Sequence, residues 1–317
     1  MKIDLNVLDY TEKIIYALRT LYMKQGYQRY KMSKFEEYDL YSRNKSFLVS
    51  DEIITFTDID GKLMALKPDV TLSIIKNTRN DGSTRKLCYN ENVYRVAGGV
   101  RMFREIMQTG IECIGSVSEA EISEVLDLAA ESLKTLSDSY LLEISDLDLL
   151  LSFVGALGLD KQKEDCVLEL MRAKNLHECE EFCRASCADE KAAKALLELM
   201  TISARPSEAF KRLEALCEKD DAKQRLSSLK NALKMLTEKK LDDHIRIDFS
   251  LAGNMHYYNG LVFRGYIDGI PEGVLSGGQY DRLMKRLGSD SKAIGFAVYL
   301  DKLERLEGAR KGGETQC

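Results

Sequence analysis

No apolar run in the 317 residues comes near the roughly 18 needed to cross a membrane. The opening residues, MKIDLNVLDY, lack the apolar core of a signal peptide, so a cytoplasmic location is the expectation. No Lys/Arg block or basic tail stands out and the net charge is −5, so charge lends general nucleic-acid binding no support. No internal repeat or low-complexity tract is visible. Eight cysteines are many, but their spacing is not that of a secreted disulfide framework.

What is present suits a large packed core. Hydrophobic residues make up 44% and charged residues 31%, normal for a globular protein. The length suggests one large domain with an insertion, or two domains. Cys179, Cys183 and Cys187 lie four apart, with His177 just before them. On a helix they form one stripe, so a zinc site is conceivable. Packing is the stronger reading, because cysteine behaves as a small buried hydrophobe. Three ligands on successive turns of one straight helix would also struggle to surround an ion.

The central stretch is Leu87 to Gly115, LCYNENVYRVAGGVRMFREIMQTGIECIG. It reads as two strands joined by a glycine-turned loop bearing arginines. In the second strand Ile106, Gln108, Gly110, Glu112 and Ile114 share one face, while Met107, Thr109, Ile111 and Cys113 share the other. A bare glycine between two polar residues often marks close approach of a ligand. An ordinary half-exposed strand would also show this alternation.

Around that stretch the pattern reads as follows. Residues 8–25 are helical, stopped by Gly26, with Thr11 as a possible cap. Residues 27–43 begin strand-like and run into a mixed segment. Ile53 to Asp58 is a strand, followed by an Asp60-Gly61 turn. In KLMALKPDVTL, period two puts Asp69 and Thr71 on one face, and Pro68 marks the strand as ending or irregular. A helix then begins at Thr71. Glu119 to Leu136 is an amphipathic helix with Ile122, Val125, Leu126, Ala129 and Leu133 along one side. A strand at 141–144 and a helix at 148–157 follow. From about Asp160 to Lys240 strand signals vanish and Leu, Ala, Lys and Glu recur at helical periods. Strands resume at Ile245, and Asn259-Gly260 signals a turn or bulge. The expected division is 1–158 and 242–310 as two parts of one core, 159–241 as an all-helical insertion, and 311–317 as a disordered tail.

Four separated motifs now line up with one family. LKPDVT resembles the LRPEGT segment of histidyl-tRNA synthetase. VYR, a loop, and REIMQTGIECIG resemble motif 2 of the class II synthetases. MHYYNGLVF resembles the histidine motif RGLDYYTGTVF. LSGGQYDRL followed by AIGFAVYLDKL resembles AGGRYDGL and motif 3. The resemblance covers nearly all the chain outside the helical stretch. It implies an α+β fold of the class II synthetase type: an antiparallel sheet flanked by helices, dimeric through the first helix and the strand after it.

The departures point away from catalysis. Where the family has a motif 2 glutamate that reads adenine, this sequence has Ala97, although the preceding arginine survives as Arg95. The catalytic arginine of the histidine motif falls on Gly253, and the motif 3 arginine on Lys302 after Asp301. The motif 1 proline is replaced by Ser33. Lysine cannot reproduce the planar fork that clamps a phosphate. Acyl transfer to ATP needs preorganised cations at the phosphoryl oxygens, so adenylation is expected to fail. Arg95, Arg101 and Arg104 remain as candidates for holding an anion.

At the amino-acid end the resemblance assigns Asp69, Thr71, Gln108, Glu112, Tyr258 and Tyr280 to a histidine pocket. The residue types fit: carboxylates for an ammonium and an imidazole N–H, hydroxyls to fix the ring. The synthetase also carries a C-terminal anticodon-binding domain, whereas this sequence stops about where motif 3 stops. This combination resembles the regulatory subunits of ATP phosphoribosyltransferase. The resemblance implies no cofactor, histidine as allosteric effector, and a short catalytic subunit as partner in a hetero-oligomer, expected to be a hetero-octamer. It also implies that the subunit is needed for activity in the first step of histidine biosynthesis. The segment Gly253 to Gly260 is the expected moving part. Two other readings remain: a truncated synthetase-like enzyme that still activates an amino acid, and a tRNA-binding module, which the charge and the missing anticodon domain disfavour.

Overall fold

Asp9, not Thr11, starts the first helix. The computed structural model describes residues 7–45, 48, 53–78, 82–97, 102–254 and 257–303. Helix α1 (Tyr10–Lys24) opens with a capping box: Asp9 accepts from the Glu12 N–H at 2.7 Å, and Glu12 accepts from the Asp9 N–H at 3.0 Å. Thr11 lies one position inside the helix, where its side chain is buried. Gly26, with φ +85°, then turns the chain in a conformation that favours glycine.

The chain continues through β1 (Gln28–Arg29), β2 (Phe35–Glu37), α2 (Tyr38–Ser42), β3 (Thr55–Thr57) and β4 (Leu63–Leu66). Strands β2, β4 and β3 form a small antiparallel sheet in that order. Helix α3 (Val70–Asn77) leads into the long hairpin of β5 (Arg85–Ala97) and β6 (Met102–Gly115). Next come α4 (Glu119–Leu136), β7 (Tyr140–Asp146) and α5 (Leu147–Gly155). Ser118 and Glu121 form a second capping box that fixes the start of α4 where the apolar periodicity begins.

A run of helices follows: α6 (Lys161–Arg172), α7 (Leu176–Ser186), α8 (Glu190–Met200), then, beyond the two-residue β8 (Ser203–Ala204), α9 (Pro206–Leu216), α10 (Asp220–Ala232) and α11 (Lys234–Glu238). The segment read as free of strand therefore contains one. Ser203 and Ala204 pair with β9 (Ile245–Asp248) and tie the helices to the main sheet. Two residues are too short for a period-two signal. The chain closes with β10 (Asn259–Ile267), β11 (Leu275–Gln279), α12 (Asp281–Arg286) and β12 (Lys292–Tyr299).

The nine-stranded sheet has the order β1-β5-β6-β12-β11-β10-β7-β9-β8. Only β1/β5 and β7/β9 are parallel; the other neighbours are antiparallel. Its two faces carry different loads. On one, Cys88, Ile111 and Cys113 join the large core with α1 and α4. Helix α4 lies close over β10: a Cβ at Gly265 would come 2.6 Å from Leu133 Cδ2. On the other face, Tyr89, Val93 and Ile114 pack with α3, α12 and the small sheet in a second cluster. Among the described residues no helix is long and apolar enough to cross a membrane.

Candidate functional site

The second face holds a cavity of about 50 Å³ lined by Asp69, Thr71, Gln108, Glu112, Tyr258 and Tyr280, with Arg95 at its edge. All six residues assigned to a histidine pocket are thus brought together. They arrive by different routes. Gln108 and Glu112 stand on β6 by period two. Asp69 and Thr71 are not strand neighbours, as their spacing suggested. Strand β4 ends at Leu66, Pro68 breaks the extended run, and Asp69 becomes the N-cap of α3, accepting from the Leu72 N–H at 2.9 Å. That cap places Thr71 in the first helical turn, facing β6.

Glu112 is the centre of the arrangement. The Thr71 hydroxyl donates to Oε1 at 2.7 Å and the Tyr280 hydroxyl to Oε2 at 2.5 Å. The side chain is 2% exposed. Its pKa stands raised to about 8: burial pushes it up, the Tyr280 and Thr71 hydroxyls pull it down, and the Asp69 carboxylate pushes it up. Burial likewise raises Asp69, opposed by the Leu72 N–H and by Arg95. Tyr257 and Tyr258 form an edge-to-face pair with centroids 4.7 Å apart, and Tyr257 lies 6.1 Å from Tyr280.

Glycines make the room. Gly295 is opposite Glu112, and a Cβ there would sit 1.8 Å from Oε2. A Cβ at Gly278 would meet the Tyr258 ring at 2.7 Å. Gly110 serves a different purpose from the one its position suggested. A Cβ there would strike the Phe296 carbonyl at 2.1 Å and the Tyr89 hydroxyl at 2.7 Å, so it admits a ring of the neighbouring strand rather than a ligand. Sequence reasoning missed Tyr89, Tyr257, Ser276, Gly295 and Tyr299, all of which line the cavity. Register alone could have found Gly295 and Tyr299, since each stands on β12 opposite a residue already singled out on β6.

The cations are spread out. Arg95 and Arg104 are directly opposite on β5 and β6 and so share the pocket face. Arg95 reaches back to donate from Nε to the Pro68 carbonyl at 3.0 Å. Arg104 is exposed and not part of the cavity lining. Arg101 lies outside the described residues, as do Met255 and His256 within the expected moving segment. Lys302 donates to the Gly273 carbonyl at 2.6 Å and pairs with Glu272 at 3.4 Å. Ala97 ends β5, and Gly253 falls in a 3-10 helix at Phe249–Asn254. In α7, Cys179 and Cys183 are buried; Cys187 is half-buried and lies just past the helix as its extended C-cap, so the three do not form one helical stripe. No metal-holding group of three or more His, Cys, Asp or Glu occurs among the described residues.

Sheet order and the polar cluster on one face define a class II aminoacyl-tRNA synthetase-type core. The family profile described as histidyl-tRNA synthetase matches residues 6–303. The ATP phosphoribosyltransferase regulatory subunit of Thermoanaerobacter pseudethanolicus is 31% identical over 299 residues, 92% of this chain and 77% of that protein. A solved ATP phosphoribosyltransferase regulatory subunit/histidyl-tRNA synthetase from Bacillus halodurans superposes with a TM-score of 0.81 at 21% identity, covering 96% of this chain and 86% of the other. A chain of the ATP phosphoribosyl transferase (HisG:HisZ) complex from Thermotoga maritima gives 0.72 at 21%, covering 92% and 97%. At these identities the structures speak to fold. The chain belongs to the ATP phosphoribosyltransferase regulatory subunit family, the histidyl-tRNA synthetase-like proteins that serve as regulatory rather than catalytic subunits.

Proposed function

We propose that the chain works in the cytoplasm with a short ATP phosphoribosyltransferase catalytic subunit, at the first step of histidine biosynthesis, and binds free histidine as the feedback effector. A homodimer through the synthetase-like core, built into a hetero-octamer with the partner, is the assembly we infer from the family resemblance. The observation that carries the histidine reading is Glu112: a buried carboxylate fixed by two hydroxyls at the bottom of a polar cavity. Such a group is costly to bury and suits recognition of a donor such as an imidazole N–H. Asp69 and Gln108 take the α-ammonium, and Arg95 takes the α-carboxylate.

The cavity is far below the roughly 300–1,000 Å³ of usual ligand pockets, so side chains must shift to admit an amino acid. That requirement links occupancy to conformation. Histidine inhibits the partner only if it favours one arrangement of the complex, since equal affinity for both shifts nothing. A coupling of about 1–3 kcal/mol gives roughly 5- to 150-fold changes in affinity. The enzyme alternative is disfavoured because Lys302 is committed to Gly273 and Glu272. Calorimetry is expected to detect histidine binding without histidine-dependent pyrophosphate exchange from ATP. Exchange at synthetase-like rates would overturn the regulatory reading.

A further inference from the structure

On the pocket face, β6 and β12 run in register: Glu112 opposite Gly295, Gly110 opposite Ala297, Gln108 opposite Tyr299. The β12 side therefore rises from glycine through alanine to tyrosine along the cavity. Gln108 lies four residues from Glu112, about 13 Å of strand. Glu112 closes one end, and the Tyr299 ring stands at the other.

That ring is held from several sides. Ser276, directly across from Ala297, lines the cavity beside Tyr299. Lys302 Nζ lies 5.1 Å from the ring centroid, and Lys302 is itself fixed by the Gly273 carbonyl and Glu272 in the β10–β11 connection. Arg264, opposite Ser276, is exposed, and its stem packs where a Cβ at Gly273 would lie only 2.7 Å away. Tyr299 thus separates the closed cavity from an open, arginine-bearing part of the same sheet face.

We propose that Tyr299 is the end-stop of the pocket. It restricts the ligand to a free amino acid by excluding anything continued beyond the α-carboxyl, and Lys302 is the positioning residue that keeps the ring in place. This rests on the histidine reading above, with the imidazole at Glu112 and the carboxyl directed toward Arg95 and Tyr299. The selectivity is steric: the wrong ligand meets a wall instead of the right one gaining a contact.

The test is calorimetric titration of the full chain with histidine and with the dipeptide histidyl-glycine, and the readout is the ratio of the two affinities. Wild type is expected to take histidine and refuse the dipeptide. Tyr299→Ala is expected to shift the ratio toward the dipeptide by about tenfold or more. Lys302→Met keeps the ring but frees it, and a smaller shift in the same direction is expected; this variant carries the test if Tyr299→Ala fails to fold. An unchanged ratio in the folded variants, or a wild type that binds both ligands equally, overturns the end-stop. A wild type that binds neither overturns the histidine reading itself, a result distinct from binding both.

Discussion

At the inner end of the pocket every polar atom of Glu112 is met by a hydroxyl, and a glycine across the strand leaves it space. At the outer end the cations have gone elsewhere. Arg95 donates to a backbone carbonyl, Arg104 is exposed, and Lys302 braces a hairpin. One sheet face thus holds a fully partnered buried carboxylate beside a region whose positive charges are not aimed at a common point. Phosphoryl chemistry needs converging cations, because catalysis requires fixed charges where transition-state charge develops. A family can therefore lose the reaction without a change of fold.

The largest effect is expected at Gly295. A methyl group there meets Glu112 Oε2 at 1.8 Å and the Ile111 carbonyl at 2.5 Å, and the carbonyl belongs to paired backbone that cannot step aside. Gly295→Ala is expected to abolish histidine binding and to destabilise the fold by about 3 kcal/mol or more, measured by urea unfolding beside calorimetry. Gly61→Ala is the control: it has φ +81° in a turn with open space around it. It should cost on the order of 1 kcal/mol through backbone strain and leave histidine affinity alone.

In Glu112→Gln, binding and stability should move in opposite directions. At pH 9, where Glu112 is ionised, histidine binding is expected to weaken by about 1.5–3 kcal/mol, the range for a charge-assisted hydrogen bond. For stability, burial holds Glu112 at about 8, above the 4.5 of an unperturbed glutamate. Folding therefore takes up a proton between those values. The contribution is fully present below about pH 4 and is lost as pH rises through 8. The glutamine variant has no such loss. Between pH 6 and 9 wild type should lose roughly 2 kcal/mol more than the variant, followed by chemical denaturation at each pH. Parallel curves would mean that Glu112 is not held protonated by its surroundings.

Much of this inner end was legible in the sequence because strand periodicity and helix signals are local. Period two on β6 singled out Gln108 and Glu112, and helical spacing marked α4. What was not legible depends on pairing between distant strands. Gly295 has meaning only opposite Glu112, and Gly110 only beneath the Tyr89 ring. Asp69 and Thr71 were found for the wrong local reason: they were read as one strand face, but Asp69 ends that geometry by capping α3. Short pieces such as β8 are set by tertiary contact and carry no pattern of their own.

A smaller effect is expected at Tyr258, whose ring packs on Tyr257 and over Gly278. Tyr258→Phe removes only a hydroxyl at the cavity wall. The reconstituted complex should assemble and stay active, while inhibition by histidine is blunted several-fold, equivalent to about 1 kcal/mol. Activity against histidine concentration, wild type beside variant, checks it; superimposable curves would remove Tyr258 from the coupling.

The smallest effect belongs to the helical segment, where Cys179 and Cys183 pack in the apolar core. Burial pushes the Cys183 thiol up to about 12, and Cys179 is raised for the same first reason. A zinc ligand must be a thiolate, so two buried thiols whose ionisation burial opposes are poorly placed to take the ion. Cys183→Ala should cost about 1 kcal/mol, the worth of a small buried apolar group, and should leave histidine affinity unchanged. Adding one equivalent of zinc should not raise the melting temperature of either wild type or variant. A zinc-dependent rise in wild type that disappears in Cys183→Ala would instead show that this part of the core can open to hold a metal, and would give this segment a chemistry of its own.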